Sequence, residues 1–164
     1  EALLAASPEA IVQISAYKSC AAFIRAARKA GYGGQFFNVS FVGTQALADE
    51  LGKEAAGIVV SQVMPSPYSS TKPIAREFQE AVRKANGTVQ ANFSSMEGYL
   101  IGKVFVEGVR RAGKHLTRES LVSALESITE MNMGGYTISY SAKDHEGSRF
   151  TDLTIIDRSG RFVH

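Results

Sequence analysis

The sequence predicts an α/β fold in which a parallel sheet is flanked by helices. In the first 64 residues, short β-branched or aromatic runs alternate with alanine-rich amphipathic stretches. A break at Pro65–Pro67 precedes three helical patterns with no strand between them. Strand patterns then follow at the end of the chain. Strands that alternate with helices need right-handed crossovers, which make neighbouring strands parallel. The three helices must pack on each other or on a sheet built elsewhere.

The early elements follow from apolar runs and their stop signals. β-branched runs of four to six residues are typical of buried strands, and glycine after an amphipathic run is typical of a helix end. The predicted elements are a strand over Ile11–Ser15, a helix capped by Ser19 and stopped by Gly31, a strand over Phe36–Val39, a helix from Thr44 to Gly52, and a strand over Ile58–Val63.

The middle of the chain predicts three consecutive helices. Pro73 fits the first turn of one that ends at Asn86-Gly87, and Thr117 caps the third. Ser94 or Ser95 caps the long second helix, which runs to Ala112. Three glycines inside this long helix each cost about 1 kcal/mol relative to alanine, so they indicate close approach of another backbone. They are Gly98, Gly102 and Gly108.

The end of the chain has strand patterns again. Tyr136–Tyr140 alternates with period two, Leu153–Ile156 is a second strand, and Phe162-Val163 can pair back across a turn. We therefore predict two bodies. Residues 1–64 and 132–164 form one lobe, and residues 65–131 form a crossover and helices that belong to another.

Composition excludes several classes of protein. Apolar residues make up 45% and the net charge is +2, which fits a globular domain without a nucleic-acid-binding surface. No apolar run reaches the length of a membrane span. Cys20 is the single cysteine, so no internal disulfide forms. The segment from Glu1 to Ser7 lacks the features of a signal peptide, and we expect a processed or excised piece.

Catalytic and metal patterns are weak. Cys20, His145 and Asp152 or Asp144 could be assembled into a nucleophile system, but the cysteine lies beside an apolar helix face, which favours a structural thiol. The adjacent residues Asp144-His145-Glu146 cannot all point at one ion without a special loop. We therefore expect a protein that is not an enzyme and holds no metal or cofactor.

Several runs, taken in order, resemble the leucine/isoleucine/valine-binding proteins of ABC importers, which have the type I periplasmic-binding-protein fold. The resemblance covers essentially the whole chain but only the C-terminal half or less of a complete family member. The runs that carry it are Ala10–Tyr17, Arg25–Gly31, Val59–Pro67, Glu97–Tyr99, Gly108–Gly113, Leu121–Glu126, Gly134–Tyr136, His145–Ser148 and Asp157–Phe162.

The resemblance implies a function. Members of that family have two α/β lobes that close on a small ligand and then engage a membrane permease. The chain would thus supply the C-terminal lobe and helices of the N-terminal lobe of an exported protein found in the periplasm. Its expected ligand is an amino acid or a small or aromatic carboxylate. Because the helices lack their sheet, a homodimer of this fragment is a further expectation.

The resemblance and the topology indicate six ligand-binding residues. Ligands at open α/β sheets bind beyond the carboxyl ends of the strands, where Tyr17, Lys18, Ser40 and Phe41 follow two predicted strands. Tyr17 matches a family tyrosine at the ligand, and Ser40 falls where amino-acid-binding members keep an acidic residue. Phe93 matches a pocket aromatic, with core packing as its alternative. Ser95 is inferred from its position in a loop.

Two other functions remain open. The first is a ligand-sensing domain of a receptor or transcriptional regulator, which has the same fold. Sequence before Glu1 would discriminate between this sensory domain and an importer component. A response-regulator-like or other small α/β enzyme needs acidic residues clustered at the strand ends, where this chain has Tyr17 and Ser40.

Overall fold

The structure is a computed structural model that describes residues 2–163; the predicted lobe's two terminal residues, 1 and 164, lie outside this range. The chain divides into two compact units. The first unit runs up to Gln62 and resumes at Thr151, and the second unit is Val63–Phe150. The elements are α1 (Ala2–Ala5), β1 (Ala10–Gln13), α2 (Tyr17–Lys29), β2 (Gln35–Asn38), α3 (Thr44–Leu51), β3 (Val59–Gln62), α4 (Pro73–Lys84), α5 (Phe93–Ala112), α6 (Arg118–Glu126), β4 (Met131–Asn132), β5 (Thr137–Ile138), β6 (Asp152–Ile156) and β7 (Phe162–Val163).

The first unit contains a five-stranded sheet with the order β1-β2-β3-β6-β7. The three strands separated by helices are parallel, as the alternating pattern predicts. The last two strands run antiparallel, β6 against β3 and β7 against β6, so the predicted pairing of Phe162-Val163 is confirmed. The α/β class, with three parallel strands in the sheet and flanking helices, is therefore confirmed.

One face of this sheet carries the core of the first unit. Side chains alternate between the faces of a strand, so Ile11, Phe36 and Val60 point to the same side as Ile156. Against them pack the apolar faces of α2 and α3, and the helix residues in this core are Cys20, Ala21, Ile24, Ala27, Leu47, Ala48 and Leu51. We call this side the helix-covered face.

The opposite side, which we call the open face, has an apolar row that crosses all five strands. The strand register places Val12 beside Phe37, then Val59, Ile155 and finally Val163. Val12 is 68% exposed, and Ile155 and Val163 are exposed as well. Sheets built from crossovers normally bury both faces. Along this row, the sheet leaves much of its apolar surface in contact with solvent.

The second unit contains the three predicted helices. The α4 and α5 helices are joined by Glu77, whose carboxylate accepts a hydrogen bond from the Tyr99 hydroxyl and pairs with Lys103, each at 2.5 Å. The α5 and α6 helices cross closely at Gly108, where an added Cβ would lie 2.7 Å from a methyl carbon of Leu125. The close neighbours of Gly108 are thus leucine side chains of α6, whereas the sequence predicted the approach of another backbone.

Residues 132–150 belong to the second unit, whereas the sequence analysis assigned them to the same lobe as residues 1–64. Three contacts hold them there. Strand β4 pairs with β5, the amide of Ile74 at the start of α4 donates to the Gly134 carbonyl, and the amide of Tyr140 donates to the carbonyl of Ile128. Ile74 and Gly134 lie far apart in sequence, so local periodicity gives no sign of the contact that joins this segment to α4.

Three predicted element boundaries are wrong. The second helix begins at Tyr17 after Ala16, not at a Ser19 cap. The long helix is capped by Asn92, whose side chain accepts from the Ser95 amide while Ser95 Oγ accepts from the Asn92 amide. The strand predicted over Tyr136–Tyr140 is only Thr137–Ile138, because the amides of Ser139 and Tyr140 bond outside a ladder.

Candidate functional site

The first unit brings two short connections together at the carboxyl edge of its sheet. Strands β1 and β2 are parallel neighbours, so their carboxyl ends lie at one edge. The amide of Val39 donates to the carbonyl of Gln13 at 3.3 Å, which joins the two chain segments just beyond the strands. Four of the six predicted residues, Tyr17, Lys18, Ser40 and Phe41, follow this joint. We call the surface that they form the mouth of the first unit.

The first connection places Tyr17 and Lys18 in the first turn of α2. The Tyr17 ring is partly buried against the core, which anchors one side of this turn. The Lys18 side chain is exposed, and its Nζ lies 5.9 Å from the centre of the Tyr17 ring. Ala16 gives the helix no side-chain cap, and its first turn contains no acidic residue. A partly buried ring and an exposed cation therefore lie side by side.

The second connection is a 3₁₀ turn over Ser40–Val42. Val42 is buried, and the turn is closed by hydrogen bonds from the Val42 amide to Val39 and from the Gly43 amide to Ser40. Burial of Val42 fixes the turn so that its neighbour Phe41 points outward, with 75% of its surface exposed. An aromatic ring held in solvent by its own backbone is available for contact with another molecule.

The polar ends of the mouth residues have no hydrogen-bond or ion-pair partners among the described residues. No side chain or backbone group in this part of the chain bonds to the Tyr17 hydroxyl, the Ser40 hydroxyl or the Lys18 ammonium group. Serines elsewhere are used locally: Ser120 completes the cap of α6, and Ser141 accepts in a turn. The mouth thus presents two free hydroxyls and a free cation.

A buried polar row lies directly below the mouth, and the sequence analysis missed it. Gln13 and Asn38 end β1 and β2 and are register partners on the helix-covered face. Asn38 is 3% exposed, yet neither of its amide atoms has a partner, and Gln13 Oε1 and Thr154 Oγ1 are also unpartnered in the described structure. Such groups are rare in folded proteins. Only the strand register, which the sequence does not show, brings them together.

The other two predicted residues lie in the second unit. Phe93 is 4% exposed and meets the Tyr68 ring edge-on, with centroids 6.1 Å apart. Ser95 completes the cap of α5 and donates its hydroxyl proton to a backbone carbonyl near the helix start. Core packing and helix capping account for both side chains in this unit. Their contact with a ligand stays a prediction.

The second unit also has a pocket of about 420 Å³ along α5. Its walls are mainly apolar, and Tyr140 contributes a hydroxyl whose pKa is raised, chiefly by burial. The lining residues include Leu100, Ile101, Val104, Phe105, Leu125 and Ile138. Exposed glycines on α5, Gly98 and Gly102, have nothing near them in the described structure. At these two positions the predicted close approach is not seen.

The groups considered for catalysis do not form a reactive site. Cys20 is 1% exposed, and burial raises the pKa of its thiol, which disfavours the nucleophilic thiolate. His145 is exposed and pairs with Glu126 at 2.9 Å. Among residues 2–163, no three His, Cys, Asp or Glu side chains converge in a way that could hold a metal ion.

The comparison with known families is decisive. The sequence matches the family described as periplasmic binding protein over residues 1–161. The chain belongs to this family. The resemblance to the leucine/isoleucine/valine-binding type is confirmed, and the first unit's mouth is therefore the carboxyl edge of a periplasmic-binding-protein sheet.

Solved structures agree with this assignment. The chain is 32% identical to a protein from Rhodopirellula baltica described as a possible leucine/isoleucine/valine-binding protein, with a TM-score of 0.89 over 96% of this chain and 43% of that one. It is 25% identical to an extracellular ligand-binding receptor from Verminephrobacter eiseniae, with a TM-score of 0.85 over 99% and 46%. A branched-chain amino acid ABC transporter protein from Thermus thermophilus with bound valine, 21% identical, shares the fold with a TM-score of 0.82 over 99% and 47%.

This periplasmic-binding-protein chain spans less than half the length of each of these relatives. A comparison with curated protein sequences found no match. In the described part of the chain, no helix combines the length and apolarity needed to cross a bilayer.

Proposed function

We propose that this chain is part of an extracytoplasmic solute-binding component of an ABC importer. The whole protein captures a small amino-acid-like or carboxylate ligand between two lobes and delivers it to the membrane permease. The first unit and the helices of the second contribute to different lobes. Ligand contact with both lobes favours the closed state, which is the form that the permease recognises.

The mouth of the first unit is the observation that supports this proposal most directly. Two hydroxyls, an ammonium group and an exposed aromatic ring lie on the two connections at the carboxyl edge of a parallel sheet, where open α/β sheets bind ligands. The family supplies the class of activity, since its members are binding proteins. The fold is shared with a valine-bound protein of an amino acid importer.

The test is ligand binding by the complete two-lobed protein. A thermal-shift screen of amino acids and small carboxylates identifies the solute, since a ligand at 100 times its Kd stabilises the folded state by about 2.7 kcal/mol. Calorimetry then compares Tyr17→Ala with the unmodified protein. We expect affinity to fall by about 1–3 kcal/mol, the size of a lost buried aromatic contact or hydrogen bond.

Two results would count against the proposal. Unchanged affinity in Tyr17→Ala would remove the mouth from the binding site, and no stabilisation by any solute would argue against solute capture itself. Tyr32→Ala is a suitable control, because Tyr32 also packs on the core of the first unit but lies at the opposite edge of the sheet.

A sensory role is the second candidate. The similarity to an extracellular ligand-binding receptor favours it, because that relative binds a ligand outside the cell without being described as part of an importer. The same binding screen applies to both candidates. Reconstitution with the permease separates them, because only an importer component stimulates transport and ATP hydrolysis by the permease.

A further inference from the structure

Charge at the mouth narrows the class of ligand that the proposed function allows. The connection after β1, residues 14–19, and the connection after β2, residues 39–46, contain one charged side chain, that of Lys18. The first turns of α2 and α3 contain no acidic residue. A ligand's ammonium group would find no carboxylate here, while a ligand's carboxylate would find a cation.

Within the first unit, Asp152 is an acidic residue that the strand register places at the same edge of the sheet. It is the register partner of Gln62, at the far side of β3 from the mouth. Since neighbouring strands are about 4.8 Å apart, β6 lies about 10 Å from β2 and about 14 Å from β1. At physiological salt, this separation exceeds the Debye length of about 8 Å, so Asp152 does little to offset the charge of Lys18.

The hydrogen-bonding groups of the mouth complement the charge of Lys18. The hydroxyls of Tyr17 and Ser40 can both donate, and neither is used by the described protein. Two neutral donors and one cation can occupy three of the four lone-pair sites of a carboxylate. Charge-assisted hydrogen bonds of this kind are shorter and stronger than neutral ones, so they select for an anion.

The aromatic side chains of the mouth indicate the chemistry of the part of the ligand that lies away from its carboxylate. Phe41 is exposed on a turn fixed by Val42, and the Tyr17 ring is fixed by the core. Small-ligand sites combine such apolar walls with a few polar groups that set orientation. An apolar body, aromatic or aliphatic, therefore fits the space beside the polar groups better than a second charged group.

We infer that the mouth of the first unit receives the carboxylate of an aromatic or aliphatic acid that has no ammonium group facing this unit, and that Lys18 selects for it. The inference rests on the proposed function. It excludes an α-amino acid bound with its ammonium group at this mouth.

Calorimetry on the complete two-lobed protein tests this with six probes. Benzoate and hexanoate are the acids, benzamide and hexanamide their respective neutral analogues, and phenylalanine and leucine the zwitterions. We expect an acid to bind at least about 10-fold more tightly than its neutral analogue and than either amino acid. Raising salt from about 20 mM to about 300 mM should weaken binding of the acid but not of the neutral analogue.

Variants assign the effect to Lys18. We expect Lys18→Met to weaken binding of the acid about 10-fold and to leave the neutral analogue within about twofold. Lys29→Met, at the opposite end of the same helix, is the matched control and should leave both affinities unchanged.

The outcomes separate the two proposals. Tighter binding of phenylalanine or leucine, or equal loss of acid and neutral ligand in Lys18→Met, would overturn the ligand class while solute capture stands. If none of the six probes binds and a wide solute screen also fails, both this inference and the proposed function are overturned.

Discussion

The three glycines of α5 provide a sharp test of how this helix packs. Replacing glycine by alanine inside a helix stabilises it by about 1 kcal/mol where the added methyl group meets nothing. Gly98 and Gly102 meet this condition, since among residues 2–163, leaving aside the backbone of α5 itself, no atom lies within 4 Å of a Cβ built at either position. We therefore expect Gly98→Ala and Gly102→Ala each to raise the free energy of unfolding of this chain by about 1 kcal/mol.

Gly108 should behave in the opposite way. A Cβ there would lie 2.7 Å from Leu125 Cδ2, 3.1 Å from Leu125 Cγ and 3.2 Å from Leu121 Cδ1. Rotation about χ2 of Leu125 moves Cδ2 but not Cγ, so relief of both contacts needs a change of χ1 or a small separation of α5 from α6. Overpacking typically costs 1–3 kcal/mol, against which the helix gains about 1 kcal/mol. The net loss is about 1 kcal/mol, and the difference from the other two variants is about 2 kcal/mol.

Urea denaturation followed by circular dichroism measures these differences, and thermal unfolding should separate the variants, since 1 kcal/mol shifts Tm by about 2–4 °C at this chain length. The double variant Gly108→Ala with Leu125→Ala is the control. Removing the leucine side chain removes the clash, so the combined loss should be smaller than the sum of the two single losses. A Gly108→Ala chain as stable as Gly102→Ala would refute the close crossing of α5 and α6.

Two further predictions concern single side chains. Asn92→Ala removes the cap of α5 and should cost about 1 kcal/mol in urea denaturation, whereas Ser94→Ala, two residues later, should change little. Asp157 has its pKa lowered to about 2, first by the Ser159 hydroxyl and then by the Arg161 amide. The stability that it contributes is therefore present above pH about 4 and lost as pH falls towards 2. Asp157→Asn should flatten the decline of stability over this interval, and a decline as steep as in the unmodified chain would contradict the assignment.

Local signals predicted where helices exist more accurately than where they begin. The sequence offered Ser19 as a cap for α2, yet the observed cap position is Ala16, three residues earlier, and this alanine has no capping side chain. A cap contributes about 1 kcal/mol, whereas an additional turn packs the ring of Tyr17 against the core, and burying a large apolar side chain contributes about 1.5–3 kcal/mol. Tertiary packing therefore overrides the local preference, and only the structure shows that packing.

The candidate site could be predicted only in part, for a related reason. Its location follows from topology, because the loops after parallel strands meet at one edge, and this rule identified Tyr17, Lys18, Ser40 and Phe41. The buried row below them depends on register instead. Gln13 and Asn38 are 25 positions apart in the numbering, and only the pairing of β1 with β2 makes them neighbours. The sequence alone does not give the register between β1 and β2, so it cannot reveal such a pair.

Each unit, taken by itself, exposes an apolar surface, and these surfaces bear on whether the chain associates with further protein. In the first unit, the row from Val12 to Val163 lies on the open face of the sheet, and in the second, Ile101 and Phe105 are exposed on α5 beside Gly98 and Gly102. Burial of apolar surface contributes about 25 cal/mol per Å², so both surfaces favour association with further protein. The α5 glycines make this testable. If another backbone covers that face in a longer protein, Gly98→Ala should destabilise the longer protein while it stabilises this chain. A gain of stability in both would show that the face stays open.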